Sequence, residues 1–515
     1  MKILTTLAYG LATLRLVTGT PADIPNVFSS SHITRQHLSS LQVQRELGGI
    51  VSAETTIFGP DDERYENATE PWNTVASPRI QVVIQPGEEA DVSAIVQYCN
   101  DNSLAFLARN RAHGGASTLN SFNGVQIDLS PFSNISINPC GESAWFGGGV
   151  FDGQAVAYLW ERGYVTPTGA CDCVSMMGPG LGGGHGRLEG LYGMISDNIL
   201  QLNFVLGNGT AITVNSTSHP DLLWAMRGAG HNFGIVTSFE SKIYPRGPET
   251  WHYHHYVWDG EKLEILFEAL NALHGNGSTP VDMAQNWGSF FMDSTLDAHN
   301  PLIQWSFAYR GSAEEAAPLL VPFNAIPSLS EEYGDLPYPG IAATQGLDAD
   351  SIVCQHGNRI ISATAGLQVY NVTAERQIFE SFRRQISSNP QLAAGGVIEH
   401  DGYSTAAVDA HDPADSAYPF RSDHHLMLIN IGLLPNNTDP DLERDAWEWA
   451  AEVRDLWNAG QPERKAHAYV NYANGMESVE EKYGHEAWRL KRLRALKEAY
   501  DPDNRFRFYN PIVQP

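Results

Sequence analysis

The sequence predicts an α+β fold: an early unit of alternating strands and helices, followed by an antiparallel sheet backed by helices. Three observations predict it. At 515 residues the chain is too long for one core, so two to three domains are expected. Hydrophobic residues make up 42% of it and charged residues 18%, the balance of a packed globular protein. Near residue 247 the apolar pattern changes, from short strands alternating with helices to long aromatic strands separated by amphipathic helices.

The elements follow in order. MKILTTLAYGLATLRLVTGT carries a basic Lys2, an apolar run and small residues near Thr18–Thr20, the pattern of a signal peptide over residues 1–19 and too short for a membrane anchor. Residues 20–71 form an N-terminal segment. Asn67, Asn134, Asn208, Asn215, Asn276, Asn371 and Asn436 each precede x-Ser/Thr, so an exported glycoprotein is expected. RIQVVIQP alternates and stops at a proline, as a strand does, and GEEADVSAIVQYCNDN places Val92, Ile95 and Val96 at helical spacing. FLARNRAHGGAST reads as a strand entering a glycine turn, and NGVQIDLS as another strand. ILQLNFVLGNGTAITVN is a hairpin turning at Asn208-Gly209. DLLWAMRGAG is a helix with a glycine stop, and NFGIVTSFESKIYP is a long strand. The unit spans 72–246. Residues 247–460 hold the strands WHYHHYVW, LIQWSFAYRG and HHLMLINIGLL and helices such as EKLEILFEALNALHG and RDAWEWAAEVRDLWNAG. An aromatic tail, 461–515, ends the chain.

Net charge is −27, which disfavours a nucleic-acid partner, since phosphates would be repelled. No other run is long enough to span a bilayer. The densest chemistry lies in GACDCVSMMGPGLGGGHG, residues 169–186, where Cys171 and Cys173 precede a glycine-rich loop. Gly178, Gly180 and Gly183 fit G-x-G-x-x-G, but no strand ends just before them, so a nicotinamide fold is not expected. Unhindered amides in such a loop would still cradle an anion. In ARNRAHGGAST, His113 stands between Arg109 and Arg111 on one side and Gly114 and Gly115 on the other. Alone it reads as a solvated surface turn; with a second glycine loop about sixty residues on, the pair suits a pyrophosphate. Five cysteines is an odd number, so one thiol is free or bonded to something other than cysteine. His252, His254 and His255 lack a third ligand at characteristic spacing, so no metal is expected and an aromatic strand lining a pocket is. There is no G-x-S-x-G elbow for a hydrolase.

RNRAHGG, GACDCVSMMGPGLGGGHG, LYGMISDNILQLNFVLGNG, DLLWAMRGAGHNFGIVTSF, YVNY and DPDNRFRFYNP, in that order, resemble the berberine bridge enzyme-like flavoproteins of the vanillyl-alcohol oxidase superfamily. The resemblance covers about residues 72–246 and the last fifty. It implies a two-part PCMH-type FAD-binding domain, a substrate domain, and FAD tethered to a histidine and a cysteine. On this chain those are His113, in R-x-x-x-H, and Cys171, eleven residues before Gly182-Gly183-Gly184; Cys173 is the less favoured attachment point. The resemblance also implies that Asp197, Asn198 and the Ile235 backbone lie near the adenine half and Asn471 near the isoalloxazine ring.

The implied reaction is oxidation of a C–H beside oxygen or nitrogen, with O₂ as acceptor and an alcohol, sugar or secondary metabolite as substrate. Tyr472 and Tyr469 are the candidate bases, on the argument that neighbours near a flavin acidify a phenol. Some relatives carry a glutamate or lysine on the strand resembling HHLMLINIG. Met427 falls near that position here, and His425 on the same face is the substitute. Gly180 falls where side-chain bulk gates oxygen in relatives, and a bare glycine favours an oxidase. An oxidative cyclase, and an inactive secreted binding glycoprotein, are the rival readings.

Overall fold

Residues 79–86, expected as a strand, become an interior strand of the first sheet. A computed structural model describes residues 38–275, 278–437 and 439–514; the expected signal segment and Asn276 lie outside the described residues. The first sheet contains β1 (Thr56–Phe58), β2 (Arg79–Gln85), β3 (Ala105–Arg109) and β4 (Asn123–Asp128) in the order β1-β2-β4-β3, with β2 and β3 parallel to β4. The crossover from β2 to β3 is helix α1 (Glu89–Asp101). Its Val92, Ile95, Val96 and Cys99 are buried against Val82, Ile84, Phe106 and Val125. At its first turn Asp91 accepts hydrogen bonds from Ser52 and Thr55, fixing the helix start. β3 therefore delivers the loop at 110–116 to the carboxyl end of a parallel strand, where open α/β sheets bind ligands.

The next strands are β5 (Ile135–Ile137), β6 (Ser143–Gly147), the short β7 (Tyr164–Val165), β8 (Ile199–Leu206), β9 (Ala211–Asn215), β10 (Gly234–Lys242) and the short β11 (Tyr244–Pro245). β7 pairs with β11, and the other five form an antiparallel sheet in the order β5-β6-β10-β8-β9. The β8–β9 hairpin turns where expected, with Gly209 at φ +84°, which a residue without Cβ adopts freely. Helix α2 (Asp152–Glu161) follows β6.

The larger sheet holds β12 (Trp251–Asp259), β13 (Met283–Phe291), β14 (Leu302–Tyr309), β15 (Ser330–Leu336), β16 (Arg359–Leu367), β17 (Gly396–Tyr403) and β18 (His425–Leu433). It runs β15-β12-β14-β13-β17-β18-β16, antiparallel throughout. Helices α3 (Leu263–His274), α4 (Val372–Ser388) and α5 (Pro440–Ala459) pack on one face of it. Phe267, Phe379, Phe382 and Trp449 meet Trp305, Ile398, Met427 and Ile429 there, and each such buried side chain contributes about 1.5–3 kcal/mol. Alternation then turns Glu399, Asp401 and Tyr403 of β17 away from the helices. The tail adds α6 (Ala487–Tyr500), whose Leu490, Leu493 and Leu496 join the core of the five-stranded sheet. Among the described residues no helix is long and apolar enough to cross a membrane.

The histidines of β12 serve its edge partner. His252 pairs with Asp335 at 2.8 Å and His254 with Glu331 at 2.7 Å, both carboxylates belonging to β15. The expectation that this strand lines a pocket is corrected: none of His252, His254 and His255 reaches the main cavity.

Candidate active site

A cavity of about 520 Å³ is lined by both glycine-loop regions, the outward face of β17 and β18, and the tail. The 110–116 loop enters it first. His113, Gly114 and Gly115 line the wall, and the backbone N–H groups of Ala112, His113, Gly114 and Gly115 donate to no acceptor among the described residues. Ala112 has φ +53°, so the peptide planes here turn in the manner of an anion-binding nest. A Cβ on Gly114 would come within 2.7 Å of Tyr509, so only glycine fits. Arg109 and Arg111 also line the wall. Arg109 keeps a buried Nε without a partner and lies 3.9 Å from Asp128, whereas Arg111 donates to the Cys173 carbonyl at 3.1 Å.

His113 stacks on Trp72 at 5.2 Å and meets His356 edge-on. Burial, with help from His356 and Arg111, pushes its pKa down to about 3, so the imidazole is neutral and its lone pair is free to bond. Its Nε2 lies 3.4 Å from Cys173 Sγ, and Cys171 Sγ lies 3.5 Å from the same sulfur. One sulfur thus touches both residues expected as tethers. Cys173 is itself disulfide-bonded to Cys354, leaving Cys171 as the thiol on the cavity wall. The remaining cysteines do not pair with each other: Cys99 is buried and free, and Cys140 is exposed and free.

The second glycine loop departs from expectation. Gly182, Gly183 and Gly184 do not line the cavity, and their amides are already used. Gly182 N–H donates to Pro179, Gly183 N–H to Gly180, and Gly184 N–H to the Tyr469 hydroxyl at 3.1 Å. Gly180 faces Ile195, 2.9 Å from where its Cβ would sit, and is likewise off the cavity wall, which removes the oxygen-gate argument. The residues that do line the cavity here are Gly178, Pro179 and Leu181.

Ile235 lines the cavity, as does Asn471, whose Nδ2 donates to the Tyr469 hydroxyl and to the Pro179 carbonyl. Asp197 and Asn198 are not brought there. Asp197 holds the buried Arg421 at 2.6 Å, and the Asn198 amide braces the Tyr192 and Met194 carbonyls.

Tyr472 and Tyr469 both line the cavity. The expectation of acidified phenols is corrected: burial pushes both pKa values up, and Asp401 pushes Tyr472 further. The Tyr472 hydroxyl donates to Asp401 Oδ2 at 3.0 Å. His425 is also corrected. It is 1% exposed, stacks on Tyr370 at 4.2 Å, meets the tilted His274 ring at 4.4 Å, and lies with Met427 on the helix-facing side of the sheet. The cavity face of β18 shows Leu428 and Asn430 instead, and beside them stand Glu399 and Asp401 of β17.

Those two carboxyls were missed from sequence. Burial raises Asp401 to about 6, against the Tyr472 hydrogen bond that lowers it. Burial and then the Asp401 charge raise Glu399 to about 7. Ser362 Oγ donates to Asn430 Oδ1 at 2.7 Å, which orients the Asn430 amide to donate to Glu399 Oε1 at 3.0 Å. The alternation of GVIEHDGY held the signal, once the face was known.

The chemistry of this wall therefore combines an unpaired amide nest, a neutral imidazole, a free thiol and a phenol–carboxylate pair. Comparison with known proteins gives the class. Family models described as "FAD binding domain" and "Berberine and berberine like" match residues 80–215 and 468–513. An FAD-linked oxidoreductase of Pyricularia oryzae is 48% identical over 98% of both chains, and one of Penicillium roqueforti is 49% identical over 98% of both. Among solved structures, a BBE-like protein of Physcomitrella patens aligns with TM-score 0.76 at 20% identity, covering 93% of this chain and all of that one. The glucooligosaccharide oxidase of Acremonium strictum, described with a 6-S-cysteinyl, 8α-N1-histidyl FAD, aligns at 0.75 with 18% identity over 93% of this chain and 100% of that one. The protein is an FAD-dependent oxidoreductase. More narrowly, the chain belongs to the berberine bridge enzyme-like family of FAD-linked oxidoreductases, with the PCMH-type fold expected from its motifs.

Proposed function

We propose that this enzyme is an oxidase that holds FAD covalently through His113 and Cys171 and removes hydrogen from a carbinol carbon. When bound, FAD supplies the hydride acceptor and passes the electrons to O₂, giving hydrogen peroxide. The Ala112–Gly115 amides, unpaired toward the cavity, would hold the pyrophosphate, with the partnerless Arg109 Nε beside them.

The observation that carries the reading is the Tyr472–Asp401 hydrogen bond in the cavity that also presents His113 and Cys171. Asp401 ionises near neutrality and accepts the Tyr472 proton as the Tyr472 oxygen takes the substrate hydroxyl proton. The phenol's raised pKa keeps it protonated until that moment. Glu399, held by Asn430, orients a second polar group of the substrate. Trp287, Leu347, Val353, Ile360 and Leu428 on the same walls favour a largely apolar secondary metabolite over an oligosaccharide.

Asp401→Asn should lower kcat/KM by about 10²–10⁴-fold with flavin still bound. In the wild type, kcat/KM should fall as pH drops below about 6, because the raised Asp401 pKa leaves the base protonated there. Peroxide release across a screen of alcohols reads both. A yellow colour that does not stay with the acid-precipitated chain sinks the covalent reading, and an Asp401→Asn variant with unchanged kcat sinks the base.

We also propose export with removal of residues 1–19 and N-glycosylation. Asn67, Asn134, Asn208 and Asn436 are exposed, which supports glycans there. Asn371 caps α4 and donates to the Gly460 carbonyl, so it is a poorer acceptor. Mass change on enzymatic deglycosylation of secreted material tests this.

A further inference from the structure

Asp152 is a fully buried carboxyl that the turnover chemistry leaves unused. It opens α2, is 0% exposed, lines the cavity that holds Cys171, and neither of its oxygens has a hydrogen-bond partner of good geometry. A carboxyl buried with no more than the Gly169 amide to hold it is costly, so it needs a reason to be there. Its surroundings point to the thiol. Asp152 N–H donates to the Val174 carbonyl and Gly153 N–H to the Asp172 carbonyl, each at 2.9 Å, so the helix start is bracketed onto the Cys171 loop. From the other side, a Cβ on Gly169 would sit 2.6 Å from Asp152 Oδ2. The carboxyl is thus enclosed by the segment 169–174, with Cys171 in its middle, and the Asp152 charge adds to burial in holding the Cys171 thiol protonated.

We propose that the Asp152 carboxylate takes the thiol proton of Cys171 as that sulfur bonds to the flavin. The inference rests on the reading of Cys171 as a tether. The thiolate, not the thiol, is the nucleophile. Burial pushes the Cys171 thiol up to about 12, so almost none is ionised at neutral pH without a local base. Burial also strengthens Asp152 as a base, which narrows the gap between donor and acceptor. The other groups facing this pocket are less suited. Asp172 and Arg187 do not line the cavity, and Arg187 is engaged by the Ala170 carbonyl, Gln285 and Gln345. Tyr338 is a buried phenol raised in the same way, and His113 is too weak a base.

The step balances with O₂ as oxidant. The proton passes from sulfur to Asp152, the thiolate adds to ring carbon C6, and the electron pair enters the ring system. Loss of the C6 hydrogen as a proton and transfer of two electrons to O₂ give the thioether, an oxidised ring and one hydrogen peroxide.

The test is peptide mass spectrometry of purified Asp152→Asn holoenzyme beside wild type, scoring flavin on the His113 and Cys171 peptides. The expected result is an intact His113 link, which reports a folded protein, with the Cys171 thioether reduced about tenfold or more. Incubating that variant in air at about pH 10 should restore the thioether, since hydroxide then ionises the thiol directly. Wild-type thioether levels in Asp152→Asn, or a loss that alkali does not rescue, overturn the proposal. A wild-type Cys171 peptide without flavin overturns the tether reading itself. If Asp152→Asn carries no His113 link, the smaller Asp152→Ser is scored by the same criteria.

Discussion

Ala112 to Gly115 leave their amides unpaired and face the cavity, whereas Gly182 to Gly184 spend theirs inside the protein. In sequence the two loops look like two halves of one anion site. In the fold they use different properties of glycine. The first loop leaves its bare backbone open to the cavity. The second uses the missing side chain to let protein pack on protein: Gly183 and Gly184 have φ +116° and +85°, and a Cβ on Gly184 would lie 2.7 Å from Ile195. What the second loop achieves is placement, since its Gly184 amide and Asn471 fix the Tyr469 hydroxyl in the site. Runs of glycine therefore say that something comes close; hydrogen-bond partners say whether it is a ligand.

Three substitutions try this contrast. Gly184→Ala combines left-handed backbone with a clash and should cost roughly 2–5 kcal/mol, read as a lower urea midpoint whether or not flavin is attached. Tyr469→Phe removes the acceptor of the Gly184 and Asn471 donors and should cost about 1–3 kcal/mol by the same measurement. Gly115→Ala meets only Asn73, at 3.5 Å, and should change stability by no more than ~0.5 kcal/mol. Its effect should instead appear as a lower flavin-to-protein absorbance ratio. Equal losses of stability in Gly115→Ala and Gly184→Ala would erase the distinction.

Much of the fold was legible because periodicity reports burial directly. β2, α1, the β8–β9 hairpin, β10, β12 and β14 fall where alternation or helical spacing predicts them. His113 and Cys171 were legible as a pair because each sits in a distinctive motif, and the fold brings both against Cys173. The base was not. On β18 the choice of His425 rested on the wrong face, and a one-residue shift in a strand exchanges core for cavity. The strand that carries Asp401 begins with one glycine, has another beside its last residue and mixes polar with apolar residues, so nothing local marks it. The Cys173–Cys354 bond spans 181 residues, a separation that no spacing rule reads.

β17 divides its labour between its two sides, with Ile398 and His400 turned into the helix-backed core and Glu399, Asp401 and Tyr403 turned to the cavity. A descendant of this gene that exchanged Glu399 would alter what it accepts without disturbing what keeps it folded. Such a strand is a place where new specificities can arise by single steps.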